Sequence, residues 1–175
     1  MNVTQHSHAS DDRSDVNIRP ARPEEAEHLS ELALRSKGHW GYSAEFLESC
    51  RDELRVDADR LGSNDYPCFV AETNDGVLGY YTLEREDAST VELGALFIEP
   101  VQIGKGVGRQ LMQHAIATAS SIGAERLVIQ GDPNAESFYQ AAGAVKTGTR
   151  ESGSIPGRHL PLFEIRLADN VGNKS

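Results

Sequence analysis

The chain has 175 residues, a formal net charge of −10 at pH 7, 38% hydrophobic residues and 25% charged residues. That suits one folded domain with its own core and excludes a disordered or collagen-like chain. The acidic balance argues against a nucleic-acid binder, whose affinity comes from Lys and Arg on phosphates. No apolar run approaches the roughly 20 residues of a membrane helix, which argues against a membrane partner.

The polar start, Met1 to His8, has no signal-peptide core. Residues 1–15 lack apolar periodicity and read as a disordered tail, 168–175 as a second tail, and 16–167 as a single folded domain. His6 and His8 form an H-x-H pair, but a metal site needs more ligands and a second shell, so no metal is expected. Val16–Arg19 alternates as a strand. Pro23 suits the first turn of a helix with Glu24 and Glu25 near its positive end, carried to about Ser36 by Ala26, Leu29, Leu32 and Ala33. Lys37 to Tyr42 is an aromatic break. Ser43 caps a second helix with Phe46, Leu47, Cys50 and Leu54 on one face. Cys68–Ala71 and Val77–Leu83 flank Asn74-Asp75-Gly76 as a hairpin. Val91–Ile98 is a longer strand ended by Glu99-Pro100. A helix with Leu111, Met112, Ala115, Ile116 and Ala119 follows, then a short strand, Leu127–Ile129. Asp132-Pro133 opens another helix. Ala144–Arg150 and Leu160–Leu167 close the domain as strands around a Gly/Pro/Ser loop. Cys50 and Cys68 lie in apolar patterns without a CxxC spacing, so they read as structural thiols rather than acyl carriers, in a reducing, cytoplasmic setting.

The sharpest feature is the segment from Phe97 to Arg109, in which a strand ends, Gly104, Gly106 and Gly108 follow, and a helix begins. Glycines let successive N–H groups point into one concavity, and the helix dipole adds positive potential, so the loop suits a phosphate or pyrophosphate. Lys105 and Arg109 add charge. A Walker loop requires G-x-x-x-x-G-K-S/T, and no Ser or Thr follows Gly104-Lys105. A dinucleotide fingerprint requires G-x-G-x-x-G tight against the first strand, whereas this loop is separated from Ile98 by five residues. A helix start with glycines chosen only for packing stays open on these residues alone.

With these residues the chain resembles the GCN5-related N-acetyltransferase (GNAT) superfamily, whose signature runs from a strand into Q/R-x-x-G-x-G/A and a helix. Gly106 and Gly108 match the last two motif positions; the Q/R position falls on Ile103, with Gln102 one residue early. The run Asn134-Ala-Glu-Ser-Phe-Tyr139-Gln-Ala-Ala-Gly143-Ala144 is similar to a second family motif. The element order over 16–167 agrees as well. The resemblance implies an α/β (α+β) fold with a mixed, mostly antiparallel sheet of about seven strands flanked by about four helices. It implies acetyl-CoA as co-substrate, with its pyrophosphate on Gly104, Lys105, Gly106, Val107, Gly108 and Arg109 and its pantetheine along the backbone of Leu96, Phe97 and Ile98. Asn134 would also contact it. It implies Tyr139 as the proton donor to the departing thiolate, against the reading of an ordinary half-buried tyrosine. Glu92, on the central strand, is the candidate general base, against the reading of a solvent-facing glutamate.

His39, Trp40 and Tyr42 fall in a region that often lines the acceptor site of this superfamily, and Arg158 could bind an acceptor carboxylate. A core anchor for Trp40 and a solvated Arg158 are the alternatives. The expected activity is acetyl transfer to the primary amine of a small molecule, by direct attack in a ternary complex. A protein lysine or N-terminus as acceptor, and a non-catalytic acyl-CoA-binding module, are the competing readings, and association into a homodimer is left open.

Overall fold

Strands form where residues alternate between two faces, and helices where apolar side chains recur every three or four positions. In the computed structural model, which describes residues 15–153 and 155–167, these rules give eleven main elements. They are β1 (Asn17–Pro20), α1 (Ala26–Gly38), α2 (Ala44–Cys50), β2 (Cys68–Thr73), β3 (Gly76–Arg85) and β4 (Thr90–Ile98). After these come α3 (Val107–Ser121), β5 (Arg126–Gln130), α4 (Glu136–Ala141), β6 (Val145–Glu151) and β7 (His159–Arg166). The expected tails, save Asp15, and the His6–His8 pair lie outside the described residues.

Two helix ends differ from expectation. α1 continues through Lys37 and Gly38, because Leu34 and Ser36 are still buried and the amide of His39 still bonds to the carbonyl of Arg35. The chain leaves the helical path only near Gly41, which has φ +84°. α2 is capped as expected, the Phe46 amide donating to Ser43 Oγ at 3.1 Å, but ends at Cys50 and reaches Leu54 through turns.

The strands form one sheet in the order β1-β2-β3-β4-β5-β7-β6. Only β4 and β5 run parallel, joined by α3; every other pair is antiparallel. This is the mixed, mostly antiparallel sheet with four helices that the resemblance implied. One face carries α3 and α4, with Leu111, Met112, Ala115 and Tyr139 over Leu83, Leu93, Ile129 and Phe163. The other carries α1 and the stretch from Val56 to Tyr66, over Val70 and Tyr80. Among the described residues, no helix is long and apolar enough to cross a membrane.

β4 contains the irregularity on which the site rests. Thr82 pairs with Ala95 and Leu83 with Leu93, so Gly94 is an extra residue. Such a bulge exchanges the two faces of the strand beyond it. Before it, Val91 and Leu93 pack under α3, leaving Glu92 on the α1 face. After it, Ala95 and Phe97 pack on the α1 side and Ile98 on the α3 side. Glu92 therefore shares a face with Ala95 and Phe97.

Tyr80 is fully buried against α1, and among the described residues its hydroxyl has no hydrogen-bond partner. A buried, unsatisfied hydroxyl costs roughly 1–3 kcal/mol. Tyr80→Phe is expected to raise the thermal midpoint by about 2–4 °C, taking a gain of about 1 kcal/mol. A calorimetric scan reading a lower midpoint would show that the hydroxyl is satisfied in solution.

Candidate active site

β4 and β5 pair only over Thr90–Leu93 against Arg126–Ile129. Beyond Leu93, β4 keeps β3 on one edge and, among the described residues, has no strand on the other. A strand edge offers unpaired N–H and C=O groups, and this one faces inward, onto a cleft of about 500 Å³. Leu96, Phe97 and Ile98 line the cleft. The Glu99 amide donates to the carbonyl of Leu78 on β3, so by the alternation of a strand Phe97 also faces β3, while the backbone of Leu96 and Ile98 faces the cleft. The Ile98 amide already donates to Ser36 Oγ at 3.3 Å, which leaves Leu96 and the Ile98 carbonyl as the open part of the edge.

The cleft continues past Glu99, which Arg35 grips at 2.6 Å, into the glycine loop. Gly104 and Gly106 have φ of +82° and +89°. A Cβ at either would meet nothing within 4 Å, so it is the left-handed backbone rather than crowding that requires glycine. Gly106 is the N-cap of α3. Within the described residues, the N–H groups of Gly104, Gly106, Val107, Gly108 and Arg109 have no backbone acceptor. Gly104, Gly106, Gly108 and Arg109 line the cleft. Free amides at the positive end of a 15-residue helix, with a guanidinium beside them, make a seat for a phosphate group. Lys105 is exposed outside the cleft, and the side chain of Val107 is buried in the core under α3.

Two proton-handling side chains reach the same space. Glu92 is partly buried on the cleft wall, with Arg150 Nη1 3.7 Å from its Oε2 and 3.9 Å from Glu86 Oε1. Glu84 lies directly across from it on β3. Burial, and then the hydrogen bond and charge of Glu86, push the Glu92 carboxyl up to about 7; Arg150 opposes them. A carboxyl poised there exchanges protons near neutral pH. Tyr139 is 7% exposed, its ring edge-on to Phe138 and tilted against Phe163 at 5.6 Å. Gly131 makes room for that ring, since a Cβ there would stand 2.9 Å from Tyr139 Cε2. Burial, with the charge of Asp132, raises the phenol, so at neutral pH it holds its proton and can only donate.

The wall opposite is tied together by Tyr42. Its hydroxyl donates to Asp132 Oδ2 at 2.7 Å and accepts from Asn134 Nδ2 at 3.2 Å and Arg158 Nη2 at 3.0 Å. The ring stacks on Phe46 at 4.4 Å. Asp132 caps the 3₁₀ turn before α4 through the amide of Asn134 and meets Lys37 Nζ at 3.5 Å. Burial disfavours its charge, but the Asn134 amide, the Tyr42 hydroxyl and Lys37 together hold its carboxyl below the ordinary value. Asn134, Arg158 and the 44%-exposed Trp40 line the cleft. Tyr42 stands behind the wall and orients the groups that do. His39 is exposed, edge-on to Trp40, and does not reach the cleft.

Sequence reading had treated Asp132 only as a cap and Lys37 as the start of a break. No sequence spacing relates Asp132 to Lys37 and Tyr42, because it meets them only in the fold. Glu53 and Leu54, just past α2, also line the cleft without a sequence cue. Both cysteines are buried away from it, and burial pushes the Cys68 thiol up to about 12, which leaves it unreactive.

The chain matches the acetyltransferase (GNAT) family over residues 28–144, and it belongs to that family. It is 30% identical over 154 residues to the peptidyl-lysine N-acetyltransferase YjaB of Salmonella typhimurium, covering 86% of this chain and 97% of that protein. The Escherichia coli protein of the same name is 32% identical over 153 residues, with 86% and 95% covered. Among solved structures, the PaiA N-acetyltransferase of Thermoplasma acidophilum in complex with coenzyme A superposes with a TM-score of 0.70 at 22% identity, covering 87% of this chain and 99% of that one. YncA of Salmonella typhimurium, with its cofactor acetyl-CoA, gives 0.62 at 22% identity over 89% and 96%. At these identities the superpositions establish the fold.

A carboxyl whose folded-state pKa is raised favours the folded chain below its ordinary value of 4.5, and that contribution is lost as pH rises through about 7. Glu92→Gln should therefore melt above the parent at pH 8, with the gap closing toward pH 4.5. Melting curves by circular dichroism across that range measure it; a gap independent of pH would mean that Glu92 titrates as an ordinary surface carboxyl.

Proposed function

We propose that this chain is an acetyl-CoA-dependent N-acetyltransferase acting on the primary amine of a small molecule, with Glu92 as general base and Tyr139 as general acid. The observation that carries the reading is one continuous cleft. The open edge of β4, the free amides at the start of α3, a carboxyl near pKa 7 and a buried phenol all face it.

The residues present fit acetyl-CoA, and the coenzyme A and acetyl-CoA named with the two superposed structures support that choice. When bound, acetyl-CoA supplies an activated acetyl group as a thioester. The amides of the Gly104–Arg109 loop hold a pyrophosphate against the dipole of α3. The edge of β4 at Leu96 and Ile98 pairs with an extended amide-bearing arm as a further strand would, and an N–H of that edge polarises an acyl oxygen. Glu92 takes a proton from the acceptor ammonium, directly or through a water. Tyr139 Oη gives one to the sulfur, so no free thiolate has to leave. The side chains of Leu54, Phe97 and Leu160 thin the water around these groups.

The turn between β6 and β7 supports a small acceptor. Gly153 lies beside Glu53, which lines the cleft, so this turn and the stretch after α2 meet at the acceptor end and narrow it. The names of the two relatives above favour a second reading, a protein lysine entering past Trp40. A non-catalytic binding module has no use for Glu92 and Tyr139 on one cleft.

Release of the coenzyme thiol, measured over a panel of small amines and lysine peptides, separates these readings. The rate on a small amine is expected to fall on the acid side with a midpoint near 7, as Glu92 protonates. Glu92→Gln should lower kcat by about 10²–10⁴ and abolish that acid limb. Tyr139→Phe should slow the chemical step by at least about tenfold, more than it weakens acetyl-CoA binding. Turnover of peptides alone would select the lysine reading, and binding of acetyl-CoA with no turnover anywhere would leave only the module.

A further inference from the structure

Three cations line the cleft among the described residues: Lys37, Arg109 and Arg158. Two are already accounted for. Lys37, 14% exposed, sits 3.5 Å from Asp132, and Arg109 stands beside the phosphate seat at the start of α3. Arg158 has no carboxylate within ion-pair distance among the described residues. The single hydrogen bond of its guanidinium there is the one to Tyr42 Oη, a neutral acceptor, at 3.0 Å. A guanidinium has five N–H donors, so most of its capacity is unused on a side chain that lines the cleft.

This arginine is also held in advance of any ligand. Its guanidinium carbon stands 4.9 Å from the Phe46 ring centre and 5.4 Å from that of Tyr42, over two rings that stack on each other. Its backbone is pinned at both ends. The carbonyl accepts from the Ser152 amide at 2.6 Å, and the amide donates to Ile155 at 3.2 Å. A preorganised planar cation loses little further entropy on binding, which suits two-point recognition of an oxyanion.

We propose that the acceptor carries a carboxylate in addition to its amine, and that Arg158 binds that carboxylate while the amine faces Glu92. This rests on the amine-acetylating reading above and narrows its substrate class to amino-acid-like compounds. A carboxylate fits better than a phosphate. The wall offers one uncompensated positive charge, and Asp132 and Glu53 stand on the same cleft, so a dianion would meet net repulsion. The same guanidinium disfavours an acceptor with a second ammonium at that end, and a basic peptide flank for the same reason.

The test compares amino acids with their primary amides, which keep the amine and lose the charge. For the parent enzyme, kcat/KM is expected to favour the acid by about 10- to 100-fold, mainly through the acceptor KM, the range for hydrogen bonds to a charged group. Arg158→Gln should bring that ratio close to one, and Arg158→Lys should give an intermediate value, since it keeps charge without the planar fork. The parent ratio needs no variant, so it stands even if Arg158→Gln folds poorly, which a melting curve reports. The proposal is overturned by a parent ratio near one, by a ratio that survives Arg158→Gln, or by a rise in the acetyl-CoA KM in place of the acceptor KM. Turnover of lysine peptides with none of amino acids overturns it too. If acetyl-CoA binds and nothing is acetylated, it is the proposed function that fails for this panel. The same acid and amide pairs titrated calorimetrically into the coenzyme A-bound protein then decide: preference for the acids supports an Arg158 subsite, and equal binding rejects it.

Discussion

The parting of β4 from β5 is the constraint on which the other features depend. Parallel strands that stayed paired would satisfy every backbone group and leave no room between them. Here pairing stops at Leu93, and Gly94 is inserted at the point of separation. A Cβ at Gly94 would lie 2.9 Å from Thr82 Oγ1, so the bulge needs a residue without a side chain. The result is a strand edge inside the protein rather than at its rim, where it can bind a ligand without offering itself to another chain. The same insertion swaps the faces of β4. Ile98 anchors under α3, while Glu92, Ala95 and Phe97 all turn to the α1 side, so the candidate base and the open edge serve one cleft.

Charge within that cleft is sorted finely for a chain of net charge −10. The free amides of the glycine loop and Arg109 collect at the start of α3, as an anionic cofactor requires. Glu92 sits among Glu84, Glu86 and Arg150, an arrangement that holds a proton near neutrality instead of releasing it to solvent. Across the cleft, Tyr42 joins Asp132, Asn134 and Arg158, and Asp132 also meets Lys37. Four separate segments are thereby held in register: the end of α1, the approach to α2, the turn before α4 and the turn before β7. A network in which each polar group has a partner stiffens the wall it forms.

Much of this was legible before folding. Periodicity located every strand and helix within a few residues, and the errors fell at helix ends, where burial of Ser36 and the turns after Cys50 outweigh local preference. The glycine loop and the Asn134–Gly143 run pointed to the family, and the loop to the end of the cleft where the free amides of α3 gather. Side chains on the acceptor side were harder. Trp40 and Arg158 line the cleft, but His39 does not, and Tyr42 works from behind it. Lys37, Glu53 and Asp132 were missed as site residues because no spacing relates them; each belongs to a different element and they converge only in three dimensions.

The sequence by itself determined the order of elements, the positions where only glycine can turn the chain, and the presence of a glycine-rich helix start, because these depend on neighbours a few residues apart. It could not determine which face Glu92 occupies. Strict alternation along β4 would set Glu92 beside Leu96 and Ile98, and only pairing with β3 reveals the extra residue that reverses them. Nor could it show that Arg158 lacks an acidic partner among the described residues, since that is decided by what else reaches the cleft. Local chemistry follows from local sequence; the protonation of Glu92 and the unspent charge of Arg158 follow from groups that only the tertiary structure brings together.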